Sequence, residues 1–281
     1  MKYGLPWQGS KNAVAEWVVG VLPAAPVLVD LFAGGCAVTH AAMLSGKWGR
    51  VIANDKTDGP EVFARAVAGE YRDAAPVATR ADFEASGDTL TRILYSFKND
   101  RRTYVYGRGC EALKIQASRM LAAPTLKARR LEYMRFIKAL TQDMPRGRIH
   151  ELQALEALER VQRLEGLDRL QALERLERVQ ALEDLQGRLE VMRGDYEAVQ
   201  VPDGATVYAD PPYRNTAGYG EPFDFDRFDA WLASAPWPVY VSEFTAPPHC
   251  VEVASRPRKA HTAANGCHDV IERIFVHERW A

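Results

Sequence analysis

The sequence predicts an α/β fold with a largely parallel sheet, interrupted by an inserted, mainly helical domain. Three observations carry this prediction: strand-like and helix-like runs alternate before residue 90, the same alternation returns after residue 186, and the stretch between differs in charge and period. VLVDLF is an apolar run that ends at a glycine turn, AVTHAAML continues as a helix, and RVIAND is a second buried strand ending in Asp55. Later in the chain RLEVMRGDY, ATVYADPPY and PVYVSEF read as three more strands, each bounded by Gly, Pro or Asp. Residues 1–90 and 187–281 therefore form one expected domain, 91–150 a basic insertion and 151–186 a leucine-rich segment.

The insertion is set apart by charge. Residues 92–148 hold 14 Lys and Arg against Asp100, Glu111, Glu132 and Asp143, a net +10, while the whole chain is at −1, so the remainder carries −11. Tyr95, Phe97, Tyr104 and Tyr106 are interleaved with these bases, a pattern that suits phosphate neutralisation with aromatic contacts to a nucleic acid. A solvated helix face is the plainer reading of charge alone. SFKNDRRTYVYGRG is expected as a hairpin, and 110–143 as helices.

The next segment repeats at an unusual period. Leu152, Leu155, Leu158, Val161, Leu164, Leu167, Leu170, Leu173, Leu176, Val179, Leu182 and Leu185 fall on every third residue. An α-helix turns about 100° per residue, so this apolar row winds around a helix instead of forming a coiled-coil seam. Short helices broken at Gly166, or a small solenoid of turns, remain as readings; composition favours helix, and a spacer or self-association surface is the expected role.

Composition bounds the rest. The 281 residues are 47% apolar, which suits a globular chain, and the 4 cysteines lie far apart with no CxxC pair, so neither a zinc site nor a disulfide framework is expected. MKYGLPWQGSK has no apolar signal core, and no run of about 18 apolar residues occurs that suits a bilayer. A soluble, cytoplasmic protein without metal or membrane partner is expected.

The strongest chemical signal is Asp210-Pro211-Pro212-Tyr213, directly after the strand ATVYA. The same tetrapeptide suits an ordinary type I turn, but in an α/β fold the carboxyl end of a strand is where ligands bind. An exocyclic amine is a poor nucleophile because its lone pair is delocalised into the ring. Asp210 and the carbonyl of Pro211, accepting its two hydrogens, would draw that nitrogen toward tetrahedral geometry, while Pro212 stiffens the loop and Tyr213 offers a stacking face to a base lifted from its helix. Asp30 to Cys36 form a strand end and glycine turn that bring backbone N–H groups close to a ligand. Asp55, ending the next strand, suits ribose hydroxyls or equally a cap or turn. Lys11, in a Gly-Ser-Lys turn, suits a carboxylate; Trp7 beside it suits packing as well. Asp195, in Gly194-Asp195-Tyr196, suits a cofactor's adenine or the capping of a turn.

Taken together, WxGSK near residue 10, DLFAGG near 30, an acid at 55, GDY at 195 and DPPY at 210 resemble the Dam-type DNA N6-adenine methyltransferases, in that family's order. The resemblance spans residues 2–58 and 189–276. It implies a Rossmann-like class I methyltransferase sheet with an inserted target-recognition domain, S-adenosylmethionine as cofactor, and flipping of an adenine from double-stranded DNA. Carried over position by position, Trp7 and Lys11 hold the cofactor's methionine end, Phe32 and Gly34 line its pocket, and Asp55 binds its ribose. Asp195 and Tyr196 flank its adenine, Asp210 lies between cofactor and target, and Asp210, Pro211, Pro212 and Tyr213 act on the base. SFKNDRRTYVYG, VSEFTAP and TAANGCHDVIERIFV resemble phage-borne members. Cys36 replaces the second glycine of the family's FxGxG turn. Arg101, Arg102 and Arg108 are expected on DNA, with Asn99, Tyr104 and Tyr106 nearby to read or stack on bases. RNA adenine, DNA cytosine N4, and a DNA-binding assembly protein on a methyltransferase scaffold are the rival readings, and dimerisation through the repeat is a further expectation.

Overall fold

Strands β1 (Val27–Asp30) and β4 (Thr206–Ala209) are buried along their whole length, as apolar strands are when helices cover both faces of a parallel sheet. The computed structural model describes residues 3–71, 78–108, 111–123, 125–141, 176–214, 222–262 and 266–281. It divides into one unit of Met1–Gly4, Ser10–Ala68 and Leu182–Ala281, and a second of Leu5–Gly9 and Gly69–Ala181.

In the first unit β1 and β4 are neighbours at the centre of a seven-stranded sheet of order β3-β2-β1-β4-β5-β7-β6, where β2 is Arg50–Asp55, β3 Leu189–Arg193, β5 Val239–Glu243, β6 Cys250–Thr262 and β7 Gly266–His277. The strands β1 to β5 run parallel, β7 is antiparallel to β5, and β6 is antiparallel to β7. From β1 the chain steps outward through β2 to β3 and then returns to β4, so the topological switch lies between β1 and β4, and their carboxyl ends open a crevice there. The expected α/β class is thus the observed one, with a reversed hairpin closing one edge.

Helices follow from apolar periodicity. In α2 (Ala37–Ser45) the side chains from Ala37 to Met43 are all buried, whereas α3 (Gly59–Val67) carries Pro60 in its first turn and buries Val62, Phe63, Ala66 and Val67 along one face. Helix α1 (Ala15–Val21) buries Val18 and Val19. The core gathers Val29, Ile52, Val207 and Val241 with Phe228 and Leu232, two residues of the last helix (Phe225–Ser234). Each such side chain contributes roughly 1.5–3 kcal/mol by burial. The outer strand β6 carries Pro257 and a bulge between Glu252 and Ala254, devices that discourage a further strand from pairing.

The second unit contains α4 (Arg80–Ala85), capped reciprocally by Thr79 and Asp82, α5 (Thr89–Leu94), capped by Asp88, α6 (Glu111–Ala122) and α7 (Leu126–Thr141). It starts well before the basic stretch, and its contacts show why. Arg80 donates to the Glu111 carboxylate at 2.9 Å and to the carbonyl of Tyr106, and the Tyr104 hydroxyl donates to the Ala78 carbonyl at 2.7 Å.

The hairpin expected at SFKNDRRTYVYGRG shrinks to one antiparallel bridge, Ser96 with Tyr104, around a 3₁₀ turn at Phe97–Asn99. Local polar side chains take the donors a longer ladder needs: Ser96 Oγ accepts from Arg101 N–H, and one oxygen of Asp100 accepts from both Arg102 and Thr103 N–H. Of the period-three row, Leu152 to Leu173 lie outside the described residues, as do Arg146 and Arg148. Its end is described: Leu176, Val179 and Leu182 are buried, residues 176–180 are helical, and a 3₁₀ helix spans Glu183–Arg188. The three-residue step thus continues into the helix type whose turn matches it.

Candidate active site

The glycine turn after β1 is stitched to the ends of its neighbours. Leu31 N–H donates to the Tyr208 carbonyl at 2.9 Å, Ala33 N–H to the Asn54 carbonyl at 2.8 Å, and Gly34 N–H to Asp55 Oδ2 at 2.8 Å. Asp55 Oδ1 also accepts from the backbone and hydroxyl of Thr57, so this acid both makes a turn and fixes the loop at the ligand crevice. Cys36, where the resemblance placed a glycine, takes the left-handed conformation with φ 61°, so the backbone path is kept although a side chain is present. The Cys36 side chain is wholly buried, and burial raises its thiol well above the ordinary value.

A residue the sequence reading did not single out fixes this turn from outside. Gly4 has φ 65°, its N–H donates to His40 Nδ1 at 3.0 Å, and a Cβ there would stand 2.4 Å from the Gly35 carbonyl oxygen and 2.7 Å from Ala37 N. Only glycine lets the N-terminal segment lie so close.

Lys11, Asp210 and Tyr213 are brought together. Lys11 Nζ lies 2.9 Å from Asp210 Oδ1 and 3.3 Å from Glu272 Oε1, and 4.2 Å from the centroid of the Tyr213 ring. It also donates to the Tyr213 hydroxyl, which in turn donates to Glu272, and Arg258 Nε completes the set at 2.7 Å from Glu272 Oε2. Glu272 is fully buried on β7. Burial works against the Lys11 ammonium, but Asp210 and Glu272 outweigh it and hold its pKa above the lysine value. Burial pushes Asp210 up to about 6, Lys11 opposing and Glu272 adding to the rise. For Glu272 burial is outweighed by Lys11, the Tyr213 hydroxyl and Arg258, and its pKa lies below the usual one.

The loop after Tyr213 is held by a second acid. Arg214 N–H donates to Glu243 Oε1 at 2.7 Å and Phe244 N–H to Glu243 Oε2 at 2.6 Å, at the end of β5. The Phe244 ring stands edge-on to Tyr213, with centroids 4.4 Å apart. Tyr213 is thus a buried, bonded residue, and its hydroxyl is part of the charged cluster.

Two further expected residues meet at the adjoining strand ends. The Tyr196 ring is 5.3 Å from that of Phe32 and 5.1 Å from that of Trp231. Asp195 accepts from Glu197 N–H at 3.1 Å, the capping role, and pairs with Lys56 at 3.0 Å and Arg227 at 3.3 Å. Trp7 belongs to the second unit, where the Arg101 guanidinium lies 4.5 Å from its ring centroid.

In that unit Tyr104 and Tyr106 are buried, Tyr106 sharing a hydrogen bond with Ser118 Oγ at 2.9 Å. Asn99 turns inward, its amide donating to the Ile93 carbonyl at 2.9 Å, while Arg102 and Arg108 are exposed. Among the described residues no group of three or more His, Cys, Asp or Glu could hold a metal ion, and no helix is long and apolar enough to cross a membrane.

A parallel sheet switching between β1 and β4, closed by a reversed hairpin, with a glycine turn and an acidic DPPY loop at the switch, defines a Rossmann-like class I methyltransferase. The sequence profile of the D12 class N6 adenine-specific DNA methyltransferase family matches residues 7–157, more than half of the chain, and the protein belongs to that family. Solved structures similar to it include a candidate RNA methyltransferase from Pyrococcus horikoshii, 12% identical with a TM-score of 0.39, covering 96% of this chain and 83% of that one. Another is the candidate methyltransferase yhhF of Escherichia coli, 12% identical with a TM-score of 0.33, covering 95% of this chain and 83% of that one. No curated protein sequence matches the chain.

Proposed function

We propose that this methyltransferase transfers a methyl group from S-adenosylmethionine to the N6 amine of adenine in double-stranded DNA. The observation that carries the reading is the DPPY loop: Asp210 is held by Lys11 at the carboxyl end of β4, beside the glycine turn of β1.

The residues at the switch suit the cofactor. Asp30 Oδ1 is buried without a hydrogen-bond partner, the Gly34 turn is clamped by Asp55, and Phe32 and Tyr196 supply aromatic surface. S-adenosylmethionine supplies a methyl carbon made electrophilic by its sulfonium. In this reading Asp55 would take the ribose, Asp195 and Tyr196 the adenine, and Lys11 the carboxylate. Asp210 and the Pro211 carbonyl accept the two hydrogens of the target amine, and Pro212 keeps the loop stiff. An amine that took up the methyl group supplied by that cofactor would carry one proton too many, and the acceptor for that proton would be Asp210. An Asp210 shifted to about 6 remains ionised at neutral pH and can accept it.

The second unit supplies the DNA contacts in this reading. Arg101, Arg102 and Arg108 meet phosphates, Asn99 lies nearby, and the buried Tyr104 and Tyr106 support the loop that carries them.

The test is transfer of labelled methyl groups to DNA, with mass analysis of the nucleosides and Asp210→Ala as control. N6-methyladenine in DNA is expected from the wild type, and at least about 100-fold less from the variant. Methylcytosine, or label entering RNA only, would replace this substrate assignment. Full activity in Asp210→Ala would sink the mechanism.

A further inference from the structure

We infer that Glu272, on β7, is a positioning residue for methyl transfer: it shares Lys11 with Asp210, ties down the Tyr213 hydroxyl, and so fixes both ends of the DPPY loop against the antiparallel half of the sheet. The inference rests on the function proposed above. Glu272 lies 59 residues beyond Tyr213 in the chain and outside the tetrapeptide it holds.

The geometry is that of a chain of alternating charges. Arg258 on β6 holds one oxygen of Glu272, while the other oxygen faces Lys11 and the Tyr213 hydroxyl, and Lys11 reaches on to Asp210. Glu272 is completely buried, so its charge persists only because these three partners surround it. Tyr213 ends the tetrapeptide that Asp210 begins. Glu272 thus reaches Asp210 through Lys11 at one end and holds Tyr213 directly at the other.

Sharing Lys11 has an electrostatic consequence. The ionisable groups acting on Asp210 or acted on by it are Lys11, Glu272 on β7, Arg258 on β6, Asp30 on β1, Tyr208 on β4 and Tyr213. Glu272 raises the Asp210 pKa, and Arg258 lowers it. Glu272 therefore makes Asp210 a better proton acceptor than Lys11 alone would leave it, while Arg258 limits that effect. Removing each charge must move Asp210 in opposite directions, which no purely structural role predicts.

The experiment compares wild type, Glu272→Gln and Arg258→Met in two readouts. The first is titration of the Asp210 carboxyl by carbon NMR on aspartate-labelled protein, assigned with Asp210→Asn; the second is the pH profile of methyl transfer to DNA at saturating S-adenosylmethionine. In Glu272→Gln the Asp210 midpoint and the acid limb are expected to fall by roughly half to one pH unit. In the same variant kcat is expected to fall about tenfold or more, with KM for DNA changing less than about threefold. In Arg258→Met, whose side chain is partly exposed, midpoint and limb are expected to rise. An unchanged or raised midpoint in Glu272→Gln overturns the inference. If Glu272→Gln does not fold, a fall or no change in Arg258→Met overturns it. A wild type that methylates no nucleic acid defeats the functional reading instead, and the titration still decides whether Glu272 sets the state of Asp210.

Discussion

The two units bury different chemistry. Among the described residues the first encloses Asp30, His40, Glu243 and Glu272 along with Asn54, Thr39, Thr206 and Ser242, whereas the buried polar side chains of the second are Ser96 and Ser118. Its aromatic residues Phe83, Tyr104, Tyr106 and Phe136 make an almost chargeless core, while its bases Arg102, Arg108, Arg119 and Lys127 stay exposed. A charge withheld from water costs several kcal/mol unless it is paired, so it persists where a reaction uses it. Exposed charges cost little and act over a Debye length, which suits capture of a polyanion.

The largest effect expected from this contrast follows removal of one cation from each unit. Lys11→Met leaves Asp210 and Glu272 facing each other inside the protein, and a loss of about 3–5 kcal/mol is expected by urea denaturation, with methyl transfer abolished. Arg80→Met breaks the pair with Glu111, whose side chains are 26% and 20% exposed, and should cost less than half as much. Similar costs for the two variants would erase the distinction between the units.

Backbone fit comes next. Gly4→Ala would put a methyl carbon 2.4 Å from the Gly35 carbonyl oxygen at a φ of 65°. It is expected to destabilise by more than about 2 kcal/mol and, since the turn that must yield is the one proposed for the cofactor, to weaken S-adenosylmethionine binding in calorimetry. A variant of wild-type stability with unaltered binding would show that this contact is dispensable.

The exposed charges of the second unit give a smaller effect. If Arg102 and Arg108 each neutralise one phosphate, the double alanine variant should lower the slope of log affinity for DNA against log salt by about two. Its melting temperature should be unchanged, since both side chains lie in water. An unaltered slope would remove these two residues from the DNA surface.

Much of the first unit was legible in the sequence. The five parallel strands and the glycine turn follow from local signals, apolar runs and strand-end acids, whereas the direct pairing of Lys11 with Asp210 and Tyr213 is seen only in the structure. Glu272, Arg258, Glu243 and Gly4 were not found, because each acts through partners far away in the chain. One signal was present. In VIERIFV the acid at 272 shares the period-two face of Ile274 and Val276, so it points into the core and needs a buried cation. The second unit extends beyond the basic stretch, from Gly69 to Ala181 with Leu5–Gly9. Tyr104 and Tyr106, interleaved with bases in sequence, alternate to the inside in space.

The smallest effect concerns stability against pH and isolates the buried acid at the end of β1. Asp30 is pushed up to about 7, by burial first, with the Thr39 hydroxyl opposing and Asp210 and Asp55 adding to the rise. The neutral carboxyl is therefore the form the fold favours. Its contribution is fully present below the unfolded-state pKa near 4, and is lost as pH rises through about 7. Asn at this position has no proton to lose. Asp30→Asn should melt at or slightly below the wild-type temperature at pH 4.5, where both carry a neutral side chain and the Thr39 contact at 2.8 Å is altered. At pH 8 it should melt higher by a few degrees, corresponding to about 1–2 kcal/mol after relaxation of the site. A melting difference independent of pH would mean that Asp30 is ionised throughout. The first unit would then hold one more buried charge, on a carboxylate whose Oδ1 has no hydrogen-bond partner.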